Sequence, residues 1–105
     1  MYHPNMWVVV ELPGKEAEYK VFGSWRGGYL HGDSWRLNSG IASVADADDH
    51  MDFVGHSGSV YRGPKDPSRY GTTPYTGSVL SELLAEGGRV LEYEEVINKW
   101  GKKDY

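Results

Sequence analysis

From Met6 to Leu12 the chain is apolar and β-branched, and the Pro13-Gly14 dipeptide that follows is a turn signal. Tyr19, Val21 and Trp25 then fall on one face of an alternating stretch, so the two runs predict a hairpin joined by the solvated Lys15-Glu16-Ala17-Glu18 connection. Gly27-Gly28, Gly32 and Asp33 mark a loop. Beyond it Trp35, Leu37, Ile41 and Val44 give a strand whose alternation breaks at Asn38-Ser39-Gly40, where a β-bulge would account for the break. Asp46 to Asp49 reads as a polar turn, Met51 to Val54 as a strand, Gly55 to Gly58 as a tight turn and Ser59 to Arg62 as the returning strand. The middle of the chain is therefore expected to be a three-stranded meander.

Between Gly63 and Tyr75 three prolines and Gly71 oppose regular structure and predict an ordered loop. Val79, Leu80, Leu83 and Leu84 then share a helical stripe, with Thr76 or Ser78 as the cap and Gly87-Gly88 as the stop. Val90, Tyr93, Val96 or Ile97, and Trp100 share a second stripe and predict a second helix. The pattern as a whole predicts an α+β fold: about five mostly antiparallel strands forming a strongly bent sheet or small open barrel, with one or two C-terminal helices. It divides one expected domain into residues 1–5, left free to be disordered, strands over 6–62, a loop over 63–75 and a helical part over 76–105.

Composition changes the expected core more than it changes the elements. Ile, Leu, Val and Phe make up about 20% of the chain, the level at which a sequence struggles to bury enough apolar surface. Four Trp and eight Tyr offset that shortage, so rings are expected where most domains use aliphatics. There is no apolar run long enough for a membrane helix, no recognisable secretory leader and no Cys, which together favour a cytoplasmic protein without disulfides or thiolate metal sites. The net charge of −4 is set by the acidic knot from Asp46 to Asp52, while Arg26, Arg36, Arg62, Lys65 and Arg69 are scattered singly. Nucleic-acid binding, which needs clustered cations, is disfavoured.

Candidate chemistry is sparse. Gly55-His56-Ser57-Gly58-Ser59 approaches the Gly-x-Ser-x-Gly nucleophile elbow, but the last position is Ser, and the strand that follows takes the place of the required helix. Asp46, Asp48, Asp49, His50 and Asp52 offer carboxylates to a hard cation but lack the Gly and the twelfth-position Glu of an EF-hand loop. His3, His31, His50 and His56 have no local ligand spacing, although His31 with Asp33 and His50 with Asp52 repeat a His-x-Asp pattern. No catalytic residue, metal ligand or cofactor is assigned on this basis.

The more unusual feature is the repeat of Ser24-Trp25-Arg26 and Ser34-Trp35-Arg36 around a Gly-rich loop that contains Tyr29. Trp, Tyr and Arg together suit a recognition surface, and the same rings could equally serve the core with each Arg stacked above them. Trp25, Arg26, Tyr29, Trp35 and Arg36, with the loop residues Tyr70 and Tyr75, are the candidate ligand-binding set.

The runs Gly32-Asp33-Ser34-Trp35-Arg36-Leu37-Asn38-Ser39-Gly40-Ile41, Ser57-Gly58-Ser59-Val60-Tyr61-Arg62 and Tyr70-Gly71 resemble a group of small uncharacterised bacterial proteins, some encoded on mobile integron gene cassettes. The resemblance extends over roughly residues 6–85 and implies a cytosolic bacterial accessory protein without assigned chemistry. The expectation is a non-enzymatic binding or interaction module that self-associates, with a dimer favoured and a small molecule or protein as further ligand. The alternative is a small hydrolase or metal-assisted enzyme using His50, His56 and Ser57.

Overall fold

The computed structural model describes residues 1–28 and 32–101. Among these residues seven strands and two helices follow one another: β1 (Met6–Leu12), β2 (Glu18–Trp25), β3 (Ser34–Leu37), β4 (Ile41–Asp46), β5 (His50–Gly55), β6 (Val60–Pro64), a 3-10 turn (Pro67–Arg69), α1 (Pro74–Leu83), β7 (Arg89–Val90) and α2 (Tyr93–Trp100). The strands form two antiparallel sheets, one ordered β3-β2-β1-β7 and the other the meander β4-β5-β6. The expected α+β class and meander are present. The single bent sheet or barrel of five strands is not: there are two sheets, and neither closes into a barrel.

The cause of that difference lies at Asn38-Ser39-Gly40. The sequence breaks alternation there because the chain leaves one sheet for the other. Leu37 still pairs with Phe22, and Ile41 already pairs with Gly55. Asn38 is buried at the crossing, and its Oδ1 accepts from Val21 N at 2.8 Å and Gly40 N at 3.2 Å, replacing ladder bonds that the departing backbone gives up. Gly40 has φ +119°, a conformation that L side chains rarely adopt. A register irregularity does follow, between Ile41 and Ser43.

Strand β1 is central to its sheet and buried on both faces, which is why it reads as a continuous Trp-Val-Val-Val run. Trp7 and Val9 face the meander and join Val21, Met51, Phe53, Tyr61, Leu91 and Val96 in the inter-sheet core. Val8 and Val10 face the other way and pack with Phe22 and Leu80 beneath α1. Rings do fill the core: Trp7 lies 5.3 Å from Phe53 and edge-on to Tyr70 at 4.9 Å, and Trp100 meets Tyr19 and Phe53.

Local signals explain the helices, with shifted starts. Thr73 caps α1 and forms a reciprocal box with Thr76, so the helix begins at Pro74, ahead of the expected Thr76. Arg89–Val90, expected in the second helix, is instead a two-residue strand on the edge of β1, and α2 starts at Tyr93. The expected loop over 63–75 holds the end of β6, the 3-10 turn and the first turn of α1. Residues 1–5, for which the sequence leaves disorder open, are tied down: Tyr2 N donates to Val60 O at 2.8 Å and Arg62 N to Tyr2 O at 2.9 Å, extending the β6 edge in parallel. None of the helices among the described residues is long and apolar enough to cross a membrane.

Candidate functional site

The two Ser-Trp-Arg repeats do not form one surface. Trp25 pairs with Ser34 and Ser24 with Trp35, so strand alternation sends the two indoles to opposite faces of the sheet. Trp25 packs at the margin of the inter-sheet core, edge-on to Tyr2 at 6.2 Å, whereas Trp35 stacks on Phe22 at 5.6 Å on the α1 face. Arg26 is exposed, its N–H donating to Asn5 Oδ1, and Arg36 lies over the Tyr2 ring at 4.6 Å. Tyr29 and His31 fall outside the described residues.

Tyr70 is a structural clamp. Its hydroxyl accepts from Val9 N at 3.1 Å and donates to Leu91 O at 2.6 Å, while Leu91 N reaches Val9 O directly at 2.8 Å. The phenol is thus inserted into one rung where the β1 and β7 segments meet, and burial pushes its pKa up to about 12. Tyr75 is 57% exposed on α1. The six candidate residues that are described therefore do not converge on one site.

What converges is apolar surface on the α1 side. Apart from Met1, the exposed large hydrophobic residues among those described are Trp35, Tyr75, Leu83 and Val90. Tyr75 and Leu83 belong to α1; Trp35 shares its strand face with Leu37, which packs with Phe22; Val90 stands opposite Val10, which lies under the helix. Helical geometry puts Val79 and Leu83 on the flank of α1 opposite Gly77 and Ser81. On the Gly77 flank, Val8, Tyr70, Leu80, Leu84 and Val90 line an apolar groove of about 360 Å³.

Two polar concavities lie elsewhere on the surface. One, of about 380 Å³, is bordered by Tyr19, Arg89, Leu91, Glu95, Asn98 and Lys99. Arg89 and the acids satisfy one another: Arg89 donates to Glu95 at 2.8 and 2.9 Å and to Glu11 at 3.3 Å, and Tyr19 donates to Glu11 at 2.8 Å, while Lys99 lies over the Tyr19 ring at 4.6 Å. The other, of about 300 Å³, gathers His3, Asp49, His50, Arg62 and Arg69 from four separate parts of the chain. Arg62 grips Asp52 through two hydrogen bonds and holds that carboxyl below the usual carboxylate range; the hydrogen bond from His50 lowers Asp49 in the same way. No spacing in the sequence signals this group, because residues 3, 50, 62 and 69 meet only through the fold.

The hydrolase arrangement finds no support in distance. Ser57 sits in the exposed β5–β6 turn with its hydroxyl 3.2 Å from Ser39 Oγ, and no imidazole bonds to it among the described residues. His50 lies at the other end of β5, roughly 16 Å away at strand rise. Among the described residues no group of three or more His, Asp or Glu is placed to hold a metal ion. No family model, curated protein or solved structure matches the chain.

Proposed function

We propose that the protein is a non-enzymatic binding module that self-associates through the α1 face. The observation that carries this reading is the one-sided distribution of exposed apolar residues: Trp35, Tyr75, Leu83 and Val90 all lie on α1 or on the sheet face beneath it. Scattered single apolar residues are ordinary on a protein surface, but clustering on one layer marks an interaction surface. The flanking strands β3 and β7 are short sheet edges of four and two residues, and neither has an outer hydrogen-bonded strand among the described residues. Two copies meeting across a two-fold axis would cover the same face on each, the commonest closed arrangement. The apolar groove beside Gly77 then serves as the pocket for a small ligand at the rim of that interface.

Size-exclusion chromatography with light scattering tests the proposal. The expected result is a species of twice the 11.8 kDa chain mass at micromolar concentration, converted to monomer by Leu83→Glu, which places a charge in the apolar contact. A wild-type chain that stays at 11.8 kDa throughout would refute self-association.

A further inference from the structure

We infer that the concavity formed by the N-terminal segment, the start of β5, the end of β6 and the 3-10 turn binds a phosphate group, either inorganic phosphate or the phosphate of a mononucleotide. Two arginines line it, and both are anchored along the same edge of the guanidinium. Arg62 donates from Nε and Nη2 to Asp52 at 2.8 and 3.0 Å. Arg69 donates from Nε to Asn5 O at 2.9 Å and from Nη2 to Pro4 O at 3.3 Å. A guanidinium carries five N–H donors, so each retains three, and neither Nη1 has a partner among the described residues. Arginines fixed on one edge and free on the other are preorganised to grip an oxyanion through paired hydrogen bonds.

His3 adds a ring N–H to the donor set, and His50 forms part of the wall. His50 engages Asp49 through Nδ1, leaving Nε2 free of a hydrogen bond and 3.8 Å from Asp52 Oδ2. His3 is exposed, with no hydrogen bond among the described residues, and borders the same concavity. The carboxylates around the concavity are already engaged. Asp52 compensates Arg62, Asp49 faces His50, and Asp66, within electrostatic range of Arg69, is already accepting from Ser68 N and Oγ. Arg69 itself bonds only to neutral carbonyls, so its charge is the least compensated of the group.

Shape favours a tetrahedral oxyanion such as phosphate over a planar carboxylate. The lining side chains come from four separate elements, and a planar carboxylate has two oxygens to meet their donors, whereas a tetrahedral phosphate presents oxygens in several directions. A volume of about 300 Å³ lies at the lower end of the range for small-molecule sites.

Calorimetric and NMR titrations with sodium phosphate and with adenosine monophosphate, each against sodium chloride at equal ionic strength, test the site. Saturable binding with dissociation constants of about 1 mM or tighter is expected, with the His3 and His50 ring signals shifting together. Arg69→Gln should weaken it about tenfold, the loss of one charge-assisted contact. Because Arg69 also holds the N-terminal segment, His3→Ala is the second variant. His3 makes no hydrogen bond among the described residues, and its loss should weaken binding about threefold while near-ultraviolet circular dichroism stays unchanged. Equal affinity for the two compounds identifies the phosphate group itself as what is recognised, and tighter nucleotide binding adds the sugar or base; both support the site. Absence of saturable binding by either compound, or binding that both variants leave untouched, would overturn it.

Discussion

Removing a single oxygen at Tyr70 tests how β1 is joined to the C-terminal segment. In Tyr70→Phe the ring remains against Trp7 and Tyr93, so packing is conserved and only the hydroxyl is lost. Val9 is fully buried, and its N–H would then face no acceptor, while Leu91 O would lose its donor. The backbone cannot easily close the gap, because the neighbouring Leu91 N to Val9 O bond already holds the segments at 2.8 Å with the hydroxyl between the other pair. A buried group left unsatisfied costs roughly 1–3 kcal/mol, which puts the substitution at about 2–3 kcal/mol. Thermal unfolding should move down by roughly 10–20 °C, and urea titrations should show a lower midpoint with an unchanged slope. Ionisation supplies an independent check. The Tyr70 pKa is raised to about 12 in the folded state, above the ordinary phenol value, so its contribution is intact below about pH 10 and is lost as pH rises toward 12. That loss is worth about 2 kcal/mol once solvent screening of a partly exposed group is allowed for, and it should be missing from the alkaline unfolding curve of Tyr70→Phe. A cost under about 0.5 kcal/mol, with the Val9 amide still protected from exchange, would refute the clamp.

Other positions give sharp expectations. A Cβ at Gly63 would stand 2.6 Å from Trp7 Cε2, and Trp7 is fully buried with its indole donating to Pro64 O, so Gly63→Ala should cost about 3 kcal/mol by urea unfolding; near-wild-type stability would contradict that packing. Asn38→Ala should cost about 3 kcal/mol and expose the Val21 and Gly40 amides to rapid exchange, since both lose their acceptor where the chain changes sheets. Arg89 holds the Glu95 carboxyl at about 2, so the stabilisation from that pair is present above the ordinary carboxylate range and lost as pH falls toward 2. An NMR titration of Glu95 should show that low midpoint and its return toward the ordinary range in Arg89→Met; an unchanged midpoint would exclude the pair.

Elements carried by local chemistry were legible in the sequence. The β1–β2 hairpin, the meander and the α1 stripe each state their own period, and the ring-filled core follows from the shortage of aliphatics. The break at Asn38-Ser39-Gly40 was visible, but a bulge and a change of sheet interrupt alternation alike; only the Asn38 bonds to Val21 and Gly40 separate them. A two-residue strand such as Arg89–Val90 has no period to detect and exists because β1 offers a partner edge. Tyr70 looked like a binding residue because it falls in the expected loop over 63–75, where a core does not need it, and its clamp depends on Val9 and Leu91, which no local spacing connects to it. The repeated Trp25 and Trp35 share a motif but not a sheet face, since β2 and β3 pair antiparallel. The His3, His50, Arg62 and Arg69 group is long-range in the same sense.

The most direct measurement of self-association through the α1 face is an amide NMR dilution series. The account predicts concentration-dependent shifts over Ser34–Leu37, along α1 from Pro74–Leu83 and at Val90, with the exposed face of the meander unchanged. Shifts confined to the meander, or none over the whole concentration range, would contradict it.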